Sequence, residues 1–477
     1  MCDLHRDQPN DAPRSGITDL VDELTVAMTN ARIYSETHPR CRSSIASLLS
    51  TFEAVAKAGD SDRIVLGLAD QLLVHEGKAL VRASLSSARM IEAMKACRAG
   101  AIAISRQAGE QDVIGLIQLL AANKKGYASI DEANGDLAQR GCKSVHFLPG
   151  YAVGAVDPRV QGAPPVATPG GGGAVAPVDV SVAVYQQTVG LLQDSVVRDC
   201  HGDDMDLESA NGYVGAILER LTENAASMMG LTRYERYDAY TFGHSLRVCL
   251  LALNFARSLF DDEDLLLRIG LASLLHDIGK ARVPYEVLHS TGALTPEERA
   301  EMNKHTTHGA EILLGLPSAD PLAIATAFGH HRTRSGGGYP ACLHPPRESV
   351  ATQVVKICDV YEALTAIRPY KPRMRPIRAY RVMISTKDHF SPTLLRRFIE
   401  VNGVYPAGSL VRLSTGERAR VLRQSADPML PLIHLEAEAE SGGGAAPQSL
   451  DPAMVRDLSA PRGNARPCIT EMIEDAA

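Results

Sequence analysis

The spacing of apolar residues predicts helices along most of the chain and strands in a few short regions. From Ile17 to about Lys57, apolar residues recur three or four positions apart, with an interruption at His38-Pro39, which predicts two helices. Further runs follow, strand-like at 64–68 and 72–75 and helical at 84–97 and 110–122. Residues 17–150 are therefore predicted to form an α+β domain, whose position before a linker suggests a sensory or dimerising role.

The composition changes abruptly at residues 152–180, which are rich in Pro and Gly. Too few apolar side chains are present there to offset the ordering of the backbone, so a flexible linker is predicted. Long helical patterns dominate residues 182–403 and predict an all-helical domain. Residues 404–436 alternate in polarity and predict a small β appendix, whereas residues 437–477 are expected to be a disordered tail. The predicted fold class is mainly α.

Composition and charge narrow the classes of function. The chain has 477 residues and a net charge of -7, so it offers no general attraction for polyanions and long nucleic acid is not expected as a ligand. Its nine cysteines include no CxxC pair, which indicates reduced thiols. The N-terminal residues lack a signal-peptide pattern, and no apolar run is long enough to span a bilayer. These features predict a cytoplasmic protein without membrane association.

Histidines and aspartates of the helical region form a candidate metal site, which comprises His244, His276, Asp277, His305, His330, His331 and Asp359. A single histidine in such a region is more often a packed core residue. However, Asp277 lies in the apolar run LASLLHDIG, where an unpaired carboxylate is costly unless it binds a metal. Imidazoles and carboxylates in this number can hold two divalent ions, which would share a bridging hydroxide as the nucleophile. The set therefore predicts phosphoester hydrolysis.

Three separated motifs resemble the HD-GYP family, in order and in spacing. They are HDIGKARVPYEVLHSTGALTPEERAEMNKHTTHGAEIL, HHRTRSGGGYP and VVKICDVYEALTAIRPYKP. The resemblance covers about residues 234–372 and extends more loosely through the β appendix. It implies an all-helical, HD-type phosphohydrolase domain that hydrolyses cyclic di-GMP, with either pGpG or GMP as the final product.

The resemblance also implies roles for individual residues. The seven histidines and aspartates match the family's metal ligands, and the cofactor is expected to be two divalent metal ions, either iron or manganese. The implied catalytic residues are His276, Asp277 and Lys280. Of these, Lys280 matches the family lysine that contacts the scissile phosphate. The implied substrate-binding residues are Asp238, Lys280, Tyr339, Arg368 and Lys371.

The chain departs from the family pattern HHExxDGxGYP at two positions, where Arg332 replaces the Glu and Ser335 replaces the Asp. A cation beside two metals would repel them unless its side chain turns outward or meets substrate phosphates. Members with a third metal carry a Glu where this chain has Tyr240, so two metals are expected. The glycines of the segment 336–340 are expected to allow positive φ and close backbone approach.

Three functions are compatible with these features. The leading hypothesis is a cyclic di-GMP phosphodiesterase of bacterial second-messenger signalling. The first alternative is a catalytically weakened HD-GYP module that binds a cyclic dinucleotide or a signalling protein such as a diguanylate cyclase. The second alternative is an HD hydrolase of another nucleotide such as cyclic GMP-AMP. A homodimer is compatible with all three hypotheses.

Overall fold

The structure of the protein is a computed structural model. It describes residues 16–473 except 59–60, 70, 123–125, 151–179, 202–204, 233–241, 289, 291, 343–347, 367–373, 387, 437–451 and 461–466. The chain divides into two compact units, Met1–Gln193 and Asp194–Ala477. The linker predicted for residues 152–180 lies, apart from Val180, outside the described residues, and the predicted domain boundaries stay predictions.

The first unit is built on a five-stranded antiparallel sheet with the order β3-β2-β1-β4-β5. Its strands are β1 (Arg63–Ala69), β2 (Leu72–His75), β3 (Lys78–Ala79), β4 (Ala101–Ser105) and β5 (Val145–Leu148). Its helices are α1 (Ile17–Ile33), α2 (Pro39–Ala58), α3 (Val81–Ser86), α4 (Ala88–Ala96), α5 (Glu110–Ala121) and α6 (Ile130–Gln139). The long helix α7 (Val180–His201) follows the linker. The mixture of helices and strands confirms the predicted α+β class for this part of the chain.

A shared apolar core explains why the first unit folds in this way. Leu66 and Ile102 on paired strands are fully buried, and the apolar faces of α1 and α5 supply Val21 and Leu116 to the same core. Burial of aliphatic side chains at about 25 cal/mol per Å² is the main stabilising contribution for such a unit. Helix α1 also packs against α2, so the two predicted N-terminal helices form a pair.

The second unit is helical over most of its length, as predicted. Its helices are α8 (Leu207–Leu231), α9 (Phe242–Ala256), α10 (Glu263–Leu275), α11 (Tyr285–Leu288), α12 (Pro296–Asn303), α13 (His305–Leu314), α14 (Pro321–Gly329), α15 (Val350–Thr365), α16 (Pro376–Ser385) and α17 (Pro392–Asn402). A 3₁₀ turn, Ile278–Arg282, follows α10. Helix α9 is buried along almost its whole length, and it packs against α8, α10, α15 and α17. The central position of α9 and α15 brings their polar residues together inside an otherwise apolar bundle.

Capping residues determine where several of these helices begin. Asp262, Asp320 and Ser349 each accept a hydrogen bond from a backbone N–H in the first turn of α10, α14 and α15, respectively. Such side chains satisfy N–H groups that have no partner within the helix.

A second antiparallel sheet follows the helices, with the order β10-β6-β7-β8-β9. Its strands are β6 (Leu410–Leu413), β7 (Arg418–Arg423), β8 (Leu432–Leu435), β9 (Val455–Asp457) and β10 (Ile469–Met472). The first three strands fall inside the predicted β appendix. The prediction of a disordered tail is wrong for β9 and β10, which pair with β8 and β6. The SGGGAAPQ segment suggested disorder, but the sheet supplies hydrogen-bond partners for strands that are weak by themselves.

Every helix among the described residues is too short or too polar to cross a lipid bilayer. The cytoplasmic location stays a prediction.

Candidate metal centre

The end of α10 places His276 and Asp277 side by side at the centre of the helical unit. His276 is the last residue with helical dihedral angles, and Asp277 leaves the helix at φ −105° and ψ 9°. This change in direction brings Asp277 Oδ2 to 3.3 Å from His276 Nε2, although neighbouring residues on a regular helix point about 100° apart. Both residues are buried. The break in the helix therefore lets two adjacent residues serve one centre.

Two groups of side chains converge there, and Asp277 belongs to both. The first group consists of Asp277, His305, His330 and His331, and the second consists of His244, His276 and Asp277. In each group one ligand atom per residue lies within 4.8 Å of the others. Asp277 Oδ1 faces His305 Nε2 at 3.4 Å and His330 Nε2 at 3.7 Å. Its other oxygen, Oδ2, faces His244 Nε2 at 3.5 Å. A carboxylate between two sets of imidazoles can bridge two cations.

Asp359 on α15 lies beside the second group. Its Oδ1 atom is 3.2 Å from His244 Nε2 and 3.9 Å from His276 Nε2. All seven residues that the sequence predicted as metal ligands therefore surround one centre. They come from five separate helices or helix ends, so only the tertiary structure brings them together. Their role as ligands is a proposal, which is taken up below.

Backbone carbonyls orient three of the imidazole rings. Nδ1 of His276 donates to Ser273 O at 2.7 Å, and Nδ1 of His305 donates to Met302 O at 2.8 Å. Nδ1 of His330 is held in the same way by Thr326 O at 3.0 Å. Each bond requires the proton on Nδ1, which leaves the Nε2 lone pair directed at the centre. This is the arrangement that metal-binding histidines need.

The pKa values of the first group favour neutral rings. Burial lowers the pKa of His305 to about 4 and, together with neighbouring histidines, lowers the pKa of His330 well below its usual value. Although burial opposes ionisation of Asp277, Lys280 and the nearby histidines hold its pKa well below the usual range. Neutral imidazoles with an ionised carboxylate are the protonation states that coordinate a divalent cation.

The second group has a different electrostatic balance. Burial opposes protonation of His244, but Glu362 and Asp359 raise its pKa to about 9. A cation placed between His244 Nε2 and Asp359 would compete with the proton, because both require the same lone pair. Metal binding at this group is therefore expected to release a proton near neutral pH.

Two further residues were missed by the sequence interpretation. Glu362 Oε2 accepts a hydrogen bond from His244 Nδ1, and Glu362 Oε1 accepts one from Arg247 Nε at 2.6 Å. All three side chains are buried. The available signal was spacing, because Glu362 lies three residues after Asp359 on one face of α15, and Arg247 lies three residues after His244 on α9. Glu362 orients His244, and Arg247 neutralises Glu362.

Glu362→Gln is expected to weaken metal binding about 10- to 100-fold, which is the usual cost of altering a group that orders a ligand. The glutamine retains the size of the side chain but removes the charge that holds His244. Titration with manganese would measure the change. Glu400→Gln is the control, since Glu400 pairs with Arg397 on the exposed surface; an equal loss in that variant would contradict the role of Glu362.

At the centre, the buried atoms His276 Nε2 and Asp277 Oδ1 have no hydrogen-bond partner among the described residues. Leaving such atoms unsatisfied is costly in a protein interior. Both are lone-pair donors directed at the shared centre, so a bound cation would satisfy them. The donor set of imidazoles and carboxylates therefore fits a divalent metal ion.

The predicted substrate-side residues are divided between described and undescribed parts of the chain. Lys280 is one turn from Asp277, and its Nζ donates to Asp277 Oδ2 at 2.5 Å. Tyr339 packs its ring against His331, with the centroids 4.6 Å apart. Asp238, Arg368 and Lys371 lie outside the described residues, as does Tyr240.

The segment between His331 and Tyr339 folds back on itself. Gly336 and Gly338 have positive φ, at 88° and 77°, as the sequence predicted. A Cβ on Gly338 would overlap the His331 carbonyl oxygen, so this close approach requires glycine. The turn places the Tyr339 ring on His331, and it leaves Ser335 exposed, with its hydroxyl 3.0 Å from Thr333 Oγ1.

Arg332 is buried, with 6% of its surface exposed. Its positive charge favours the ionised form of Glu348 and disfavours the charged form of Lys356. The sequence raised the alternative that this cation faces the metal site, where it would repel metal ions. Its Nη1 and Nη2 atoms have no hydrogen-bond partner among the described residues.

Comparison with known proteins places the helical unit in a family. Residues 221–394 match the family described as HD domain. A cyclic di-GMP phosphodiesterase of Pseudomonas aeruginosa is 35% identical over 237 residues, which cover 50% of this chain and 57% of that protein. A cyclic di-GMP phosphodiesterase of Thermotoga maritima is 33% identical, with 36% of this chain and 48% of that protein covered.

A 3'3'-cGAMP-specific phosphodiesterase of Vibrio cholerae is 32% identical over 135 residues, which cover 28% of this chain and 31% of that protein. The chain spans about half the length of the first two relatives. The HD match and these relatives agree with the three motifs identified in the sequence. Within the helical unit, residues 221–394 therefore match the HD domain family.

Proposed function

We propose that this protein is a metal-dependent phosphodiesterase that hydrolyses cyclic di-GMP to pGpG, with GMP as the product of a second cleavage. The observation that carries the proposal is the buried Asp277 carboxylate, which lies between two groups of histidines whose ring nitrogens converge on it. The names of the relatives supply the substrate class, since two of them are cyclic di-GMP phosphodiesterases.

The seven histidines and aspartates would hold two divalent cations, and iron or manganese suits their imidazole and carboxylate donors. When bound, two such cations lower the pKa of a shared water and neutralise charge on the phosphoryl oxygens. Asp277 would keep the two cations close, because each of its oxygens faces a different group of histidines. Asp359, on α15, would add a carboxylate donor to the second group.

Lys280 would act on the substrate phosphate. Its ammonium pairs with Asp277 Oδ2, and 19% of its side chain is exposed. Once Asp277 interacts with cations, the pairing with Lys280 weakens and the ammonium can meet a phosphate oxygen. A mobile point charge of this kind stabilises the additional negative charge of the transition state. Tyr339, beside His331, would form part of the substrate-binding surface, to which Asp238, Arg368 and Lys371 are also assigned.

The alternative of a nucleotide-binding module without catalysis depends on Arg332 and Ser335. Neither Arg332 nor Ser335 belongs to the two histidine groups, and Ser335 is exposed. Neither position therefore removes a donor from the two histidine groups. This arrangement supports hydrolysis over binding alone.

Cyclic GMP-AMP is the second candidate substrate, because one relative is a 3'3'-cGAMP-specific phosphodiesterase. Binding of a protein partner such as a diguanylate cyclase stays a prediction. Formation of a homodimer also stays a prediction.

The protein should be purified anaerobically, loaded with iron or manganese, and mixed with cyclic di-GMP or 3'3'-cGAMP, with the products separated by chromatography. We expect metal-dependent release of pGpG, with faster turnover of cyclic di-GMP. His305→Ala should abolish most of the activity, because it removes one Nε2 donor of the first group. Release of product only from 3'3'-cGAMP would select the second candidate, and binding without cleavage would select the receptor alternative.

His308→Ala is the matched control for His305→Ala. His308 lies on the same helix, one turn further along, and is only half-buried. It should retain the activity of the unmodified protein. Equal losses in both variants would show that the effect comes from α13 rather than from the His305 donor.

A further inference from the structure

Lys356 is a buried cation in the helical unit that none of the predicted roles explains. It lies on α15, three residues before Asp359, and only 1% of its surface is exposed. Lysine is almost never fully buried unless it is paired, because its charge must be removed from water. Its contacts should therefore show what it stabilises.

The ammonium of Lys356 has two partners. It donates to the backbone carbonyl oxygen of Arg332 and to Glu348 Oε1. The first bond reaches across to the segment that follows α14, and the second supplies a negative charge. Glu348 lies just before the start of α15, whereas Arg332 lies in a separate segment of the chain.

The bond to Arg332 connects two parts of the metal centre. Arg332 directly follows His330 and His331, which belong to the first group, whereas Asp359 on the helix of Lys356 lies beside the second group. A hydrogen bond from a charged donor to a backbone carbonyl is stronger than one from a neutral donor. The Lys356–Arg332 contact therefore fixes the distance between the end of α14 and the face of α15 that carries Asp359.

We propose that Lys356 is a positioning residue of the metal centre, which uses its bond to the Arg332 carbonyl to hold the His330–His331 segment against α15. The inference rests on the proposed function, because it assumes that these residues bind metal. Glu348 has a separate role in this arrangement, namely to compensate the buried charge. The carbonyl bond, rather than the ion pair, supports the metal ligands.

A second explanation is that Lys356 and Glu348 form an ion pair that stabilises the fold and has no influence on metal binding. Removing one member of such a pair leaves the other charge buried and unpaired, which destabilises a protein strongly. Removing both members relieves that penalty. A double variant therefore separates the two explanations, because only the proposed role predicts a defect that persists.

The variants are Lys356→Met, Glu348→Gln and the combination of the two, in the full chain. Manganese binding is measured by equilibrium dialysis, and thermal unfolding is measured on the same samples. We expect Lys356→Met and the double variant to bind one of two manganese ions about 10- to 100-fold more weakly. Glu348→Gln should keep the affinity of the unmodified protein, and the double variant should unfold at a higher temperature than Lys356→Met.

Lys304→Met is the matched control. Lys304 directly precedes His305, but it is exposed and pairs with Glu301 at the surface, so its removal should leave manganese binding unchanged. Normal manganese affinity in the double variant would overturn the positioning role. If Lys356→Met does not fold, the double variant supplies the same comparison.

The unmodified protein distinguishes this inference from the proposed function. Binding of two manganese ions by the unmodified protein together with normal binding by the double variant would reject only the role of Lys356. Absence of manganese binding in the unmodified protein would reject the metal centre itself.

Discussion

Asp277→Asn should abolish metal binding at both histidine groups and lower the hydrolysis of cyclic di-GMP by on the order of 10³-fold, the equivalent of several kcal/mol of lost charge stabilisation. The reason is the shared position of Asp277, whose two oxygens face different groups. Asparagine replaces one oxygen with an NH₂ group that cannot accept a cation. Metal content after dialysis and the rate of pGpG release would measure both effects.

The control for Asp277→Asn lies at the other end of the same helix. Asp262 caps the start of α10 through a hydrogen bond from Leu265 N–H, and asparagine caps helices about as well as aspartate. Asp262→Asn removes the same charge and should leave metal content and activity unchanged. Retention of one full metal equivalent by Asp277→Asn would contradict a bridging role.

Gly279→Ala should lower the free energy of unfolding of the helical unit by about 3 kcal/mol or more, since it overpacks a tightly filled interior. A Cβ at this position would overlap the His305 carbonyl oxygen and the backbone of Gly309 on α13. Backbone atoms cannot move aside as a flexible side chain can. The substitution should also separate Asp277 from His305 and weaken metal binding. Urea unfolding and manganese titration would measure the two effects.

Gly212→Ala is the matched control for this substitution. Gly212 lies on the exposed side of α8, where a Cβ would meet nothing within 4 Å. Alanine there should leave stability unchanged or increase it by up to about 1 kcal/mol, since glycine is the poorer helix former. A small effect at Gly279, similar to that at Gly212, would contradict the close packing of the 3₁₀ turn against α13.

Much of the fold was predictable because local patterns decide it. The spacing of apolar residues indicated the helical region 182–403, which contains α8, α9, α10 and α15, and strand-like patterns indicated β1, β2 and the strands β6 to β8. Strands β9 and β10 were missed, because each is short and polar in pattern. Their stability comes from pairing with β8 and β6 rather than from their own residues.

The residues of the candidate metal centre were predictable from the sequence, but the charged residues that contact them or their neighbours were not. The sequence identified the seven histidines and aspartates because they are informative as a set and lie within recognisable motifs. Glu362 and Lys356 were missed, since a charged residue on a helix is usually a solvated one. Only the structure shows that both are buried, and that Glu362 contacts His244 and Lys356 contacts the Arg332 carbonyl.

The sequence by itself therefore indicated most of the elements and the residue types of the candidate metal centre, because periodicity and motifs are local properties of the chain. The tertiary structure decided that Asp277 faces both histidine groups, that Gly279 touches α13 and that Lys356 connects α14 to α15. These facts depend on contacts between residues far apart in sequence. Such contacts are set by packing of the whole helical unit, which no short segment encodes alone.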